Sequence, residues 1–189
     1  GAGAGTLLCI YAEGNEIRCR KSTDRGATWG SAIAIDTATG GFDQHHPSAV
    51  RLPDGKLIVA YNDAGDIVQK SSTDGGDTWG SKSTIASEGA GLDNLGDPCI
   101  IQCANGDLLI AYQDRDTSYA IRTKRSTDGG TTWGAAQTVV ASTGYLNADP
   151  NLLRTPQALY LFFSDTRSVA AEADRWLKVL VSFDDGRSW

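Results

Sequence analysis

The residues of this chain best suited to chemistry stand just ahead of prolines. His45-His46-Pro47, Asp97-Pro98 and Asp149-Pro150 each bring an ionisable side chain to the same kind of position, and Asp43 lies slightly upstream of the histidine pair. Carboxylates crowded together raise one another's pKa, and acid–base pairs arise in this way. Asp97, Asp149, His46 and Asp43 are therefore the catalytic candidates. The same crowd of oxygens could hold Ca²⁺, a hard cation that takes carboxylate ligands; no other cofactor or metal is expected. A second group of loops, Asn62-Asp63, Gln113-Asp114-Arg115-Asp116 and Asp165-Thr166-Arg167, supplies candidates for substrate binding. These are Arg115, Arg167, Asp114 and Asp63, together with His45. A guanidinium fork suits an anionic group, although each arginine also neighbours an Asp and could form an ordinary surface ion pair. An X-Pro pair has a plainer use as well: it starts an inner strand in extended geometry, its polar side chain satisfying nearby amides.

These loops need a scaffold, and the chain announces one by repetition. Residues 22–29, 72–79, 126–133 and 182–189 all fit S-x-D-x-G-x-[ST]-W. Their tryptophans, Trp29, Trp79, Trp133 and Trp189, recur at intervals of 50, 54 and 56 residues. A period in that range marks one supersecondary unit per copy. The octapeptide has the chemistry of a tight turn. Asp24, Asp74, Asp128 and Asp184 can accept hydrogen bonds from backbone N–H groups just ahead. Gly26, Gly76, Gly130 and Gly186 supply a positive φ, and each Trp is large enough to wedge between neighbouring units. A constellation repeated in every unit is a folding element rather than four active sites.

The motif resembles the Asp box of sialidases and the wider BNR-repeat proteins, which are β-propellers whose boxes are structural turns away from the active site. Four copies at blade-length spacing extend this resemblance over essentially the whole chain, and they predict an all-β propeller of the sialidase type. Runs of aliphatic, β-branched and aromatic residues between Gly, Asp and Asn turns agree with an antiparallel meander. Residues 46–86 read as one four-stranded blade (46–52, 56–62, 66–72 and 79–86) and residues 98–141 as the next (98–103, 107–113, 119–126 and 133–141). Residues 6–35 supply only the outer three strands of a first blade (6–12, 16–22 and 29–35). Residues 150–182 supply only the inner three of a last one (150–154, 158–164 and 176–182). The whole chain, 1–189, is then a single partial propeller of about three and a half blades. A six-bladed parent at this period needs on the order of 320 residues. The open blade edges predict completion by further sequence or by self-association.

A meander sends successive connections to alternate ends. The short turns 53–55, 104–106 and 155–157 share one rim with the octapeptides, while the long crossovers and the loops with Arg115 and Arg167 share the other. Function concentrates in loops on a rigid scaffold, so the second rim is the expected site.

Composition narrows the partners. A net charge of −6 repels nucleic acid and anionic membrane surfaces, and no apolar run approaches the ~20 residues of a membrane-spanning helix. There is no methionine, so the chain reads as a processed or excised piece, with residues 1–5 resembling linker. The four cysteines lack zinc-ligand spacing. Cys99 and Cys103 are too far apart along one strand for a disulfide. Cys9 and Cys19 would face each other only across a three-residue loop. Free, small apolar thiols are the simpler reading.

The resemblance also sets limits. The stretch from Gly5 through Ala12-Glu13-Gly14 resembles the sialidase segment that follows the Arg-Ile-Pro strand. In that family an arginine of the preceding strand joins two others to clamp the sugar carboxylate, and this strand is not present here. The loop bearing the family's acid/base aspartate has no room between Gly14 and Glu16, so no residue is carried over to that role. Three readings follow. One is a sialidase-like glycoside hydrolase fragment, using two carboxylates for exo-glycosidase chemistry. Another is a carbohydrate-binding module stacking sugars on Tyr61, Tyr112, Tyr145 or Phe42. The third is an assembly unit. The resemblance implies a glycan ligand and a secreted or periplasmic location.

Overall fold

A computed structural model of the chain describes residues 5–37, 45–87, 95–116, 119–141, 146–166 and 175–189. They form fourteen antiparallel strands in four sheets, with no helix among the described residues. The first sheet holds β1 (Leu7–Glu13), β2 (Glu16–Ser22) and β3 (Ile33–Thr37). The second holds β4 (His45–Arg51), β5 (Leu57–Asp63), β6 (Asp66–Ser72) and β7 (Ser83–Ala86). The third follows with β8 (Leu95–Gln102), β9 (Leu108–Asp114), β10 (Ala120–Ser126) and β11 (Gln137–Val140). The fourth has β12 (Leu146–Arg154), β13 (Leu159–Thr166) and β14 (Arg175–Ser182). Within every sheet the strands lie in chain order, and β4, β8 and β12 run side by side along the inner edge.

The core lies between sheets. Ile17, Cys19 and Ile35 meet Val59, Tyr61 and Val68 between the first and second. Ile58, Ile67 and Ile85 meet Leu95, Leu108 and Tyr112 between the second and third. Leu109, Ala111 and Ile121 meet Leu152, Leu161 and Phe163 between the third and fourth. This explains why β5 (LIVAYND) and β9 (LLIAYQD) read as continuous apolar runs: both of their faces are covered.

The octapeptides are turns that begin at the ends of β2, β6, β10 and β14. In all four the Ser hydroxyl donates to the Asp carboxylate and accepts from the Gly N–H, while the Asp takes the N–H and hydroxyl of the residue before Trp. The glycines have φ between +79° and +92°. Three of them also press against the preceding sheet. A Cβ on Gly130 would lie 2.8 Å from Ile58 Cδ1, one on Gly186 2.8 Å from Leu109 Cδ2, and one on Gly76 3.4 Å from Leu8 Cδ1. Gly therefore serves both the turn and the joint between sheets.

Two expectations are corrected here. The outer strands do not begin at the tryptophans: they begin at Ile33, Ser83 and Gln137. After Trp29, Trp79 and Trp133 the next Gly donates back to Lys21, Ser71 or Arg125 O, and the chain crosses before it pairs. The tryptophans are also less enclosed than a wedge. Trp29 is 40% exposed, and Trp79, Trp133 and Trp189 are half-buried. The four cysteines are free, and Cys19 pairs with Ile10 rather than Cys9 because the hairpin loop has two residues.

Candidate functional site

Strand register fixes the two rims. Ser72, Ser126 and Ser182, which open the octapeptides, pair with Leu57, Leu108 and Leu159 at the start of each second strand. At the other end of those strands, Asn62, Asp114 and Thr166 pair with His45, Leu95 and Leu146, which begin the inner strands. The octapeptide rim also holds the short turns: Ala104 N donates to Asp185 Oδ1 at 3.1 Å. The Pro-preceding residues therefore lie at the far end from the octapeptides.

Each of those residues sits in the same device. The register of the inner strand slips at His46-Pro47, Asp97-Pro98 and Asp149-Pro150, so two residues oppose one on the neighbouring strand. Tyr61, Tyr112 and Phe163 are the residues opposed. At the bulges His46, Asp97 and Asp149 have φ of 56°, 52° and 53°. The extended X-Pro geometry expected from sequence is replaced by a left-handed residue inside a bulge, and the inner strands start earlier, at His45, Leu95 and Leu146. A left-handed non-glycine residue costs of order 1–3 kcal/mol and persists only where its surroundings fix it. Bulges re-aim side chains next to active sites. Here three re-aim theirs onto one axis.

The three bulges line a cleft of about 290 Å³ with Ser48, Cys99 and Asn151. It adjoins a second hollow of about 340 Å³, where His46, Asp97 and Asp149 meet Gln113, Arg115, Tyr119 and Ser164. Asp97 is the buried centre of the group. His46 Nδ1 lies 3.1 Å from its Oδ1, and an Arg115 guanidinium nitrogen lies 3.6 Å from its Oδ2. Arg115 is held in turn by Nε donation to Gln113 Oε1 at 2.7 Å. Asp149 is exposed and accepts the Ser164 hydroxyl at 3.1 Å. Gln113 also donates to Asn147 O of the next sheet, and Asn62 donates to Leu95 O in the same way. These amides tie β5 to β8 and β9 to β12 just before the Asp97 and Asp149 bulges.

The structure thus brings together His46, Asp97, Asp149 and Arg115. It separates two other candidates from them. Asp114 is buried and paired with Arg122 Nε at 2.8 Å, and Asp63 pairs with Lys82. Asp165, the matching residue of the fourth sheet, pairs with Lys178. All three carboxylates are committed inside their own sheets, because Asp63, Asp114 and Asp165, at or next to the end of each second strand, face a cation of the same sheet. Asp43, Arg167, Phe42 and Tyr145 lie outside the described residues, as does the side chain of His45. Tyr61 and Tyr112 are 0% exposed and cannot be stacking platforms. Burial, together with the Asp36 carboxylate to which it donates at 2.8 Å, pushes the Tyr61 phenol far above its ordinary pKa, so it stays a hydrogen-bond donor. Among the described residues no group of three or more His, Cys, Asp or Glu is placed to hold a metal ion. Sequence reasoning missed Gln113, Tyr119 and Ser164. The end-of-strand series Asn62, Gln113, Ser164 was the available signal.

No protein-family model matches the chain, and no curated protein matches it. Solved structures do. An α-L-arabinofuranosidase of Fusarium graminearum superposes with a TM-score of 0.75 at 21% identity, over 96% of this chain and 60% of that one. The intramolecular trans-sialidase of Ruminococcus gnavus gives 0.69 at 20% identity, over 95% and 41%. The Hadza microbial sialidase Hz136 gives 0.69 at 18% identity, over 98% and 43%. At such identities the likeness establishes the fold: an all-β propeller of the sialidase and glycosidase type. The chain spans 41–60% of the length of these three proteins.

Proposed function

We propose that this chain is carbohydrate-directed and that the axial cleft is its glycan site, serving exo-glycosidase hydrolysis through Asp97 and Asp149. One observation carries the reading: three successive repeats each spend a strained, bulged residue to bring His46, Asp97 and Asp149 to a single cleft. Glycoside hydrolysis uses paired carboxylates about the scissile bond, and two of the three bulges bring a carboxylate to this cleft. Asp97, between His46 and Arg115, is placed to stabilise or attack the electron-poor anomeric carbon. Asp149, open to solvent and oriented by Ser164, is placed to exchange a proton with the leaving oxygen or with water. The neighbours named as sialidases and arabinofuranosidases support a sugar-directed cleft, and the octapeptides fit the Asp-box repeat. A secreted location follows from the same resemblance.

The test is an aryl glycoside panel, read by chromophore release, on the parent chain and on Asp97→Asn and Asp149→Asn. Asn tolerates the left-handed backbone of these positions, so both variants remove charge and keep the bulge. Release that falls about 100-fold or more in both, with unchanged melting temperature, is the expected outcome. Glycan binding without release would make the cleft a lectin site. A second reading, self-association, is favoured by a separate observation: Leu153, Leu177 and Val179 leave the fourth sheet 51%, 77% and 49% exposed.

A further inference from the structure

We infer that the cleft takes an uncharged glycosyl group and rejects sialic acid and uronates; this rests on the cleft being the glycan site proposed above. The charge balance of the lining carries it. Asp97 and Asp149 set two carboxylates against the single guanidinium of Arg115 among the described lining residues. That guanidinium is built into the wall. It lies on the backbone of Gly96, where a Cβ would sit 2.7 Å from its terminal nitrogen and 3.0 Å from Cζ. Gln113 holds its Nε, and Asp97 faces its terminal nitrogen. Arg115 is therefore the partner of Asp97, and a ligand carboxylate would have to compete with Asp97 for it. Other cations described at this end of the sheets are paired as well, Lys82 with Asp63, Arg122 with Asp114, Lys178 with Asp165 and Arg18 with Glu13 and Glu16.

The accessible polar groups point the same way. The Asp149 carboxylate is exposed, and the His46 side chain is 57% exposed. Carboxylates are acceptors only, and they bind most strongly to groups that bring a proton, such as sugar hydroxyls. An anionic sugar brings its own negative charge to theirs, and like charges placed together across an interface cost several kcal/mol. The substrate class is thus a neutral pentose or hexose, in contrast to the acidic sugar implied by the resemblance to sialidases.

The experiment titrates the full chain at low salt with two sets of p-nitrophenyl glycosides. The neutral set is the α-L-arabinofuranoside and β-D-xyloside; the anionic set is the β-D-glucuronide and the N-acetylneuraminide. Calorimetric binding at least about tenfold tighter for the neutral set is expected, with the gap narrowing as salt rises. Asp149→Asn should narrow it further by admitting anions, a change that a merely structural role would not produce. Tighter binding of an anionic probe, lost in Arg115→Gln, overturns the inference while leaving the cleft as the glycan site. Binding by neither set, or binding unchanged in both Asp97→Asn and Asp149→Asn, overturns the cleft reading and this inference with it.

Discussion

At the scale of single residues, the octapeptide divides its labour in ways that can be measured separately. Hydrogen bonds from Thr28 and Thr132, first by hydroxyl and then by N–H, with the Ser hydroxyl added, hold the Asp24 and Asp128 carboxyls at about 2. The matching Ser and Thr contacts depress Asp74 and Asp184 further. A carboxyl depressed in the folded state stabilises the fold above its unfolded pKa, here 3.8, and loses that contribution as pH falls through the folded value. Melting temperature should therefore fall between pH 4 and about 2, by an amount that solvent screening of these exposed carboxylates keeps modest, and Asp128→Asn should flatten that fall. An identical slope in the variant would deny the turn its electrostatic role. The glycines offer a matched pair. Gly106 and Gly130 both have positive φ, but a Cβ on Gly106 meets nothing within 4 Å, whereas one on Gly130 meets Ile58 at 2.8 Å. Gly106→Ala should cost about 1 kcal/mol of backbone strain, and Gly130→Ala about 2–4 kcal/mol because packing is added. Equal costs in urea unfolding would remove the joint from the account.

At the scale of elements, the joints between sheets hold the bulges in register. Trp133 packs half-buried against the cluster between the second and third sheets. Trp133→Ala should cost about 2 kcal/mol, below the 3–5 kcal/mol of a fully enclosed aromatic. The amides Asn62 and Gln113 are buried equivalents, each donating to the inner strand of the next sheet. Replacing either with Ala should cost about 1–3 kcal/mol through an unpaired carbonyl. Only Gln113→Ala should also alter ligand affinity, since only Gln113 holds Arg115. Calorimetry on both variants separates the fold from the site. Strand positions were legible because β5 and β9 are unbroken apolar runs between turn residues. Their ends were not, since the residues after each Trp carry the same turn-like composition whether they pair or cross over.

At the scale of the whole molecule, the fourth sheet shows what the inner sheets conceal. Tyr160 and Phe162 of β13 stack with ring centroids 6.2 Å apart beside exposed Leu177 and Val179. The register-equivalent residues Ile58, Ala60, Leu109 and Ala111 are buried under the following sheet. An apolar sheet face left open favours association. Sedimentation of the chain at rising concentration should show a reversible shift to larger species. The double variant Leu177→Lys, Val179→Lys should weaken that association about tenfold or more, since burying an unpaired charge costs well over 1.4 kcal/mol.

The sequence by itself determined the repeat, the turn chemistry, the all-β meander, the sorting of loops onto two rims and the Pro-preceding acids. Each of these depends on local backbone preference or on a period, and both are written along the chain. Only the tertiary structure decided which ionisable groups meet. Asp114 and Asp97 look equally eligible in one dimension, but one faces Arg122 inside its own sheet while the other is turned by a bulge toward the axis. Whether a carboxylate ends beside a cation of its own sheet or at a shared cleft is set by strand register and by the packing of one sheet on the next. Those are contacts across strands and between sheets, which no local pattern encodes.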